Sequence, residues 1–499
     1  MTDLPLLSRS VVRPMAWPEK ILQFGTGRFL RAFADFFVDA ANRQSEFQGR
    51  IVVVQSTGNH RANLINAQDG LYTLWVRGLN DGVPYESQTI LSPISRALSA
   101  HDKWHDVLAC ARSRDLEIIL SNTTEVGLTF DTEDCPSESA PRSFPGKLTA
   151  VLYQRALAFD YSPQAGLAIL PCELLTDNGD KLKRVVLRTA RHWQLGEAFI
   201  NWVEQANTFC NTLVDRIVPG LPPDQERAAF ENRAGYRDEL LTVAEDYRLW
   251  AIEGDETLRR HLAFASCDPG IVVVPHIAPY RTRKIRLLNG GHTLSVPVGI
   301  LAGNTTVLDN MTHPLTASYI EGLLRDEIGP TLDVDPDTVP PYIDDVLRRW
   351  RNPYLVHNLI DITLHGTRKM RVRAIPSLVS FHSSTGRIPQ RIALGFAAHL
   401  LFMRGVSQDG DQIYGKLRGV PYPINDTKAE YFMECWAAAP TIRALVERIC
   451  GDEELWGLNL RDLSRFARTV ADFLHTMLHE GMGAAIASCN PHEESNMAT

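Results

Sequence analysis

The feature that most restricts how this chain can fold is a short apolar run ending abruptly at two glycines. Ile21-Leu22-Gln23-Phe24 meets Gly25-Thr26-Gly27, and Arg28 to Ala41 then carries Phe29, Phe33, Phe36, Phe37 and Ala40 at helical spacing. A strand, a glycine turn and a helix are what pyrophosphate binding needs: a tight turn, close backbone approach, and helix N-terminal amides facing the anion. The third glycine of the dinucleotide fingerprint is replaced by Leu30. On its own, the run therefore fits either a nucleotide turn, with Gly25 and Gly27 in those roles, or a tight turn with no ligand.

Further runs decide the fold class. Ile51-Val-Val-Val54, Leu116 to Leu120, Leu167 to Leu170 and Ile271 to Val274 are β-branched or aliphatic and bounded by polar residues, and a helical stretch from Lys147 to Phe159 separates two of them. Strands alternating with helices predict an N-terminal α/β unit, a Rossmann-type doubly wound sheet. The stretch from Phe130 to Pro145 reads as an exposed loop. Glu197 to Arg259 reads as mostly helical, broken at Pro219-Gly-Leu-Pro-Pro223. Beyond 275 the periodicity is helical at 343–350, 392–404 and 460–478, with breaks near 406–426. The 499 residues exceed one ordinary core. The expected division is a dinucleotide-binding domain over 1–275 and a mainly α-helical substrate domain over 276–499, with the last ten residues frayed.

Composition closes off other classes. Lys plus Arg number 51 against 59 Asp plus Glu, a net charge of −8, which argues against nucleic acid as a partner. Eight cysteines show no CxxC pair and no zinc-type spacing, so reduced thiols and no metal site are expected. No stretch approaches the ~18 apolar residues of a membrane span, and no leader-like run opens the chain. A cytoplasmic protein, neither exported nor membrane-inserted, is the expectation, as monomer or dimer.

The segment Pro279 to Thr293 is the richest in chemistry. Taken as a helix, steps of about 100° place Lys284, Asn289 and His292 within an arc of about 140°, facing one cleft. Gly290 and Gly291 each cost such a helix about 1 kcal/mol relative to Ala, so something must approach the backbone there. Carbonyl reduction fits: a desolvated lysine exchanges a proton with an alcohol near neutral pH, while an amide and an imidazole hold the developing alkoxide. The bland alternative is a solvated basic face made by Lys284 with Arg281, Arg283 and Arg286. Asn178-Gly179 is by residue type a turn, yet it lies beyond the carboxyl end of a strand, where ligands bind in open α/β sheets. Arg351 to His357 and Arg368-Lys369-Met-Arg371-Val-Arg373 fit either surface solvation or a carboxylate site. No acid follows Val54. Gln55 stands there, with His60 and Arg61 close by, so NAD and NADP both stay open.

Gly25-x-Gly27-x-Phe29-x-Arg31, Val214-Asp215-Arg216-Ile217-Val218-Pro219 and Lys284-x4-Asn289-x2-His292, taken together, resemble the polyol-specific long-chain dehydrogenase, or mannitol dehydrogenase, family, from about residue 20 to about residue 480. The resemblance implies metal-independent hydride transfer between a nicotinamide cofactor and a ketose-type sugar acid. It implies Lys284 as general acid and base, Asn178 and Asn289 on the reacting oxygen, and His292 orienting substrate hydroxyls. Gly25, Gly27, Phe29, Arg31, Gln55, Asn122, Thr124 and Glu125 would serve the cofactor, and Asp215 would support the site. Among the cations and histidine of the second half, His357, Lys369 and Arg371 are assigned to substrate, the last two to its carboxylate. A sensor that binds nucleotide without turnover would have no need of Lys284 beside two amides.

Overall fold

The computed structural model describes residues 4–123, 127–137 and 139–489. It forms two compact units, one running up to Ile277 without Leu79–Pro84, the other holding Leu79–Pro84 and the chain from Ala278 onward. Up to Ile277 the strands are β1 (Glu19–Phe24), β2 (Arg50–Gln55), β3 (Tyr72–Asn80), β4 (Val83–Leu91), β5 (Ile94–Ser99), β6 (Ile118–Ser121), β7 (Ala168–Pro171), β8 (Thr208–Phe209), β9 (Thr212–Asp215), β10 (Thr242–Glu245), β11 (Leu249–Glu253) and β12 (Ile271–Val274).

Six of these form one parallel sheet in the order β5-β2-β1-β6-β7-β8. Ranked by chain order that is 3-2-1-4-5-6, the doubly wound dinucleotide-binding arrangement, whose switch point lies between β1 and β6. Period-two alternation splits the strand residues between two cores. Ile21, Ile51, Val53, Ile118 and Leu120 face Phe33, Phe37 and Trp250. Leu22, Phe24, Val52, Val54 and Ile119 face the helices Phe144–Ala158 and Asn178–His192. The predicted sheet is thus present, with its central strands buried on both faces.

The reading of 197–259 as mostly helical is corrected. That stretch holds β8 to β11 between the helices Glu197–Ala206, Asp224–Ala234 and Glu256–His261. β9 pairs antiparallel with β11, which pairs parallel with β12, and β10 joins β3 in a second three-stranded sheet with β4. Strands of two to five residues are too short to show a period. The helix expected over 28–41 is two helices, Arg28–Ala32 and Ala34–Arg43, because Phe33 leaves the helical region at φ −125°, ψ −87°. The breaks at 406–426 contain a small antiparallel sheet, β13 (Ser407–Asp409), β14 (Gln412–Leu417) and β15 (Val420–Pro423). The rest of the described chain from Ala278 onward is mainly helical, centred on Gly290–Ala302, which packs against Gln390–Phe402. Thr124 and Glu125, and the last ten residues, lie outside the described residues.

Candidate active site

The glycine turn closes the end of β1 at the switch point. The Gly25 amide donates to the Val54 carbonyl at 3.2 Å, and the Asn122 amide donates to the Phe24 carbonyl at 3.1 Å. Gly25 sits at φ +136°, and a Cβ there would meet the Asn122 carbonyl oxygen at 3.0 Å and Leu30 at 3.1 Å. Leu30, in the place of the missing third glycine, is therefore the residue packed under the turn. A Cβ on Gly27 would meet nothing within 4 Å, so this side of the turn is open for an anion to approach. Arg31 is buried and donates from Nη1 to the Thr26 carbonyl at 2.6 Å, while Phe29 stacks on Phe33 at 4.9 Å. Both shape the turn from within.

Other polar residues around the strand ends spend their groups on the backbone. Gln55 donates to the Thr57 carbonyl at 2.6 Å and accepts from the Ala62 amide at 2.8 Å, fixing the loop after β2. Asn122 donates to the Cys172 carbonyl at 2.7 Å, joining the ends of β6 and β7. Asn178 needs a correction: the amide expected on a reacting oxygen is buried with its capacity filled. Its Nδ2 donates to the Pro171 and Glu173 carbonyls at 2.9 and 3.0 Å, and its Oδ1 accepts from the Thr212 and Gly179 amides at 2.8 and 3.0 Å. Gly179 beside it is obligatory, since a Cβ would lie 2.5 Å from the Cys210 backbone. Asp215 is buried at the end of β9, paired across to Leu249.

In the second unit, Lys284 is half-buried and opens a π-helical turn, Lys284–Asn289, between the helices Ala278–Arg283 and Gly290–Ala302. A π turn bonds residues five apart, so Lys284 and Asn289 come closer to one line than the regular helix allows. The close approach inferred from the glycine pair is made by the chain itself. A Cβ on Gly291 would meet Leu324 at 2.8 Å and the Trp350 ring at 3.0 Å, and one on Gly290 would meet the Arg373 carbonyl oxygen at 3.3 Å. The neighbouring arginines are not a solvated face. Arg286 donates to Ser377 Oγ at 2.7 Å, and Arg283 donates to the Thr338 carbonyl at 3.2 Å.

His292 stacks on Trp350 with centroids 4.1 Å apart and meets His357 edge-on at 6.4 Å. Burial first, then His357, Arg349, Arg373 and Lys369, hold its pKa well below the ordinary value, and burial lowers that of His357 too. A neutral imidazole both donates and accepts, as a hydroxyl partner should. Lys369 donates to the Ile362 carbonyl at 3.0 Å, and Arg373, on a second π turn (Met370–Ala374), reaches Thr293 Oγ1 at 3.5 Å. Arg371 lies elsewhere: it is exposed, donates to the Glu454 carbonyl at 3.0 Å and flanks Gly457. Lys284, Asn289, His292, His357 and Lys369 thus share this region, and Arg371 does not.

Family models described as the mannitol dehydrogenase Rossmann domain and the mannitol dehydrogenase C-terminal domain match residues 19–265 and 276–478. The chain belongs to the mannitol dehydrogenase family. Among relatives of this mannitol dehydrogenase family chain, the altronate oxidoreductase of Bacillus subtilis (strain 168) is 38% identical over 471 residues, covering 94% of this chain and 95% of that one. The altronate oxidoreductase of Halalkalibacterium halodurans is 39% identical over 490 residues, covering 96% and 95%. A D-sorbitol dehydrogenase crystal structure in substrate-free form aligns with a TM-score of 0.76 at 22% identity over 96% of this chain and all of that one. A Pseudomonas fluorescens mannitol 2-dehydrogenase in ternary complex with NAD and D-mannitol aligns at 0.66 and 21%, covering 97% and 99%. Both share the fold.

Sequence reasoning missed three residues that build these sites. Glu173 is buried after β7, accepts from Ser121 Oγ at 3.1 Å and from the Thr123 amide and hydroxyl at 2.9 and 3.0 Å, and so fixes the end of β6 as far as Thr123. Burial raises its pKa against those bonds. Arg349 is buried one residue before Trp350, with no signal in the sequence. Arg373 had one: it lies four residues after Lys369, on the same helical face, whereas Arg371 is only two away.

Proposed function

We propose that the chain is an NAD-dependent tagaturonate reductase, reducing D-tagaturonate to D-altronate and catalysing the reverse oxidation, in hexuronate catabolism in the cytoplasm. The observation that carries the substrate class is the cationic surround of His292: Arg349, Arg373 and Lys369 act on one imidazole. A neutral polyol needs no such charge, whereas a sugar acid brings a carboxylate that must be matched. In this reading Arg373 and Lys369, with Arg349 behind them, take the carboxylate, and Arg371 does not.

Gly25 and Gly27 would hold the pyrophosphate. The open side of Gly27 and the positive φ of Gly25 suit that group. When bound, NADH supplies a hydride to the ketone carbon. The Lys284 ammonium gives its proton to the oxygen as the carbonyl becomes an alcohol, and the lysine takes it back in oxidation. Asn289 donates to the same oxygen, and neutral His292 orients the adjoining hydroxyl. Among the described residues no group of three His, Cys, Asp or Glu side chains converges to hold a metal, and the proton donor is a lysine.

The relatives named altronate oxidoreductase support this substrate over fructuronate or a neutral ketose. The test is NADH oxidation by purified protein with tagaturonate, fructuronate and fructose side by side, repeated with NADPH and with EDTA. Fastest turnover on tagaturonate, insensitive to EDTA, is expected. Preference for fructuronate would make it a fructuronate reductase, and preference for fructose a mannitol-type polyol dehydrogenase.

A further inference from the structure

Asp35 lies in the first turn of the helix Ala34–Arg43, fully buried under the glycine turn, and neither of its carboxyl oxygens has a hydrogen-bond partner. Gln23 of β1 is equally buried and is the side-chain amide that meets Asp35. Its Nε2 donates to the Gly25 carbonyl at 3.2 Å, and its Oε1 has no partner. Turning the amide over would set Oε1 against the Gly25 oxygen, two acceptors face to face. The second hydrogen of Gln23 Nε2 faces Asp35, and it cannot serve all three of these buried acceptor atoms.

The groups around them are engaged. Arg31, on the preceding helix, donates to the Thr26 carbonyl at 2.6 Å and to Thr242 Oγ1 at 3.4 Å. Tyr72 of β3 donates to the Arg31 carbonyl at 2.8 Å, and the Cys172 thiol, after β7, points to the Leu170 carbonyl at 3.8 Å. Arg216, after β9, donates to the Ala32 and Glu245 carbonyls; its Nη2 is the exception, without a partner, yet Arg216 is not among the charges that act on Asp35. Asp39 and Asp238 add negative charge around Tyr72. The missing donor is a proton on Asp35 itself, which also removes a charge that burial penalises.

We propose that Asp35 is a neutral carboxylic acid that, through Gln23, holds the glycine turn in its binding shape. Two side chains grip consecutive carbonyls of that turn, Gln23 at Gly25 and Arg31 at Thr26, and both lie beside Asp35. An ionised Asp35 draws the amide and the guanidinium toward itself and loosens both grips. Burial pushes the Asp35 carboxyl up to about 8, with Arg31 and Gln23 pulling the other way. Asp35 is thus a positioning residue, and its effect on the cofactor rests on the turn being the cofactor site.

The test is fluorescence titration of NADH onto wild type and Asp35→Asn at pH 7 and pH 9. Wild type should bind about ten-fold more weakly at pH 9, since only the neutral fraction is competent, and Asp35→Asn, uncharged at both, should change less than about two-fold. Equal pH dependence in the two proteins overturns the proposal. If wild type binds no NADH at either pH, the cofactor reading falls and thermal melts decide. An acid whose pKa is higher folded than unfolded loses stability as pH rises between the two values. A melting-temperature gain of Asp35→Asn that is larger at pH 8 than at pH 5 supports a neutral Asp35, and a constant offset overturns it. Should the variant not fold, carbon-13-labelled aspartate in the wild type must show a carboxyl still protonated at pH 7; full ionisation overturns the proposal.

Discussion

The two units build their sites from opposite materials. In the first, the turn and strand ends offer backbone, and the polar side chains nearby, Arg31, Gln55, Asn122, Asn178 and Glu173, are consumed in holding that backbone still. In the second, side chains form the site, and the backbone makes room: two glycines admit Trp350 and Arg373. A group common to many substrates, such as pyrophosphate, suits recognition by amides. A particular sugar acid needs side chains that discriminate. Substitutions in the first unit should therefore register mainly as stability, and those in the second as rate or affinity.

The largest expected effect is at Lys284. Lys284→Ala should lower kcat by about 10²–10⁴-fold. NADH affinity, measured by titration, should stay unchanged, and a lost affinity would break the division. Asn178→Ala should act in the other currency, lowering stability by about 2–3 kcal/mol in denaturant melts because it strands the Thr212 amide. If instead kcat falls while the melt is unmoved, Asn178 is a reacting group after all. Next, Arg373→Ala should raise KM for tagaturonate about 10–100-fold, while Arg371→Ala leaves it as it was.

The smallest effect is in pH. His292, His357 and His399, all in the second unit, have pKa values lowered chiefly by burial, His399 to about 4. A histidine neutral in the fold but charged when unfolded loses stability as pH falls below about 6.5, by about 1.4 kcal/mol per pH unit at most for each. Glu327, in the same unit and pushed up to about 7, offsets part of this. In the first unit burial raises Asp35, Glu173 and Asp238, whose contribution runs the opposite way. Hydrogen exchange at pH 5 against pH 7.5 should show protection falling in the second unit and holding in the first. A uniform change would erase the contrast.

The parallel sheet was legible because Ile51–Val54 and Ile118–Leu120 are buried on both faces and so read as unbroken apolar runs. The hairpin of β3 and β4 went unread although Asn80-Asp81-Gly82 marks its turn, with Asp81 and Gly82 both at positive φ. β8 to β11 gave no pattern because strands of two to five residues are too short to show a period. In the proposed site, Lys284, Asn289 and His292 stood out by spacing and took their roles from the family resemblance, but the π turn between them could not be read, since nothing in residue type separates it from an α-helix. Choosing Arg371 over Arg373 came from counting cations without asking which share a face. Asn178 misled because a position at a strand end says where a residue lies and not whether its amide is already taken.

The π turn has a consequence for how such a site changes over time. Lys284 and Asn289 are brought together by one surplus residue in the helix, so their alignment is written in chain length and not in side-chain identity. Losing a single residue between them would leave a regular helix in which the two stand four apart, still within about 40° of each other. Keeping all six letters but tightening the turn to a regular helix would open them to about 140°. An alignment scored by matching letters would mark the first descendant as damaged and the second as intact, and the geometry ranks them the other way.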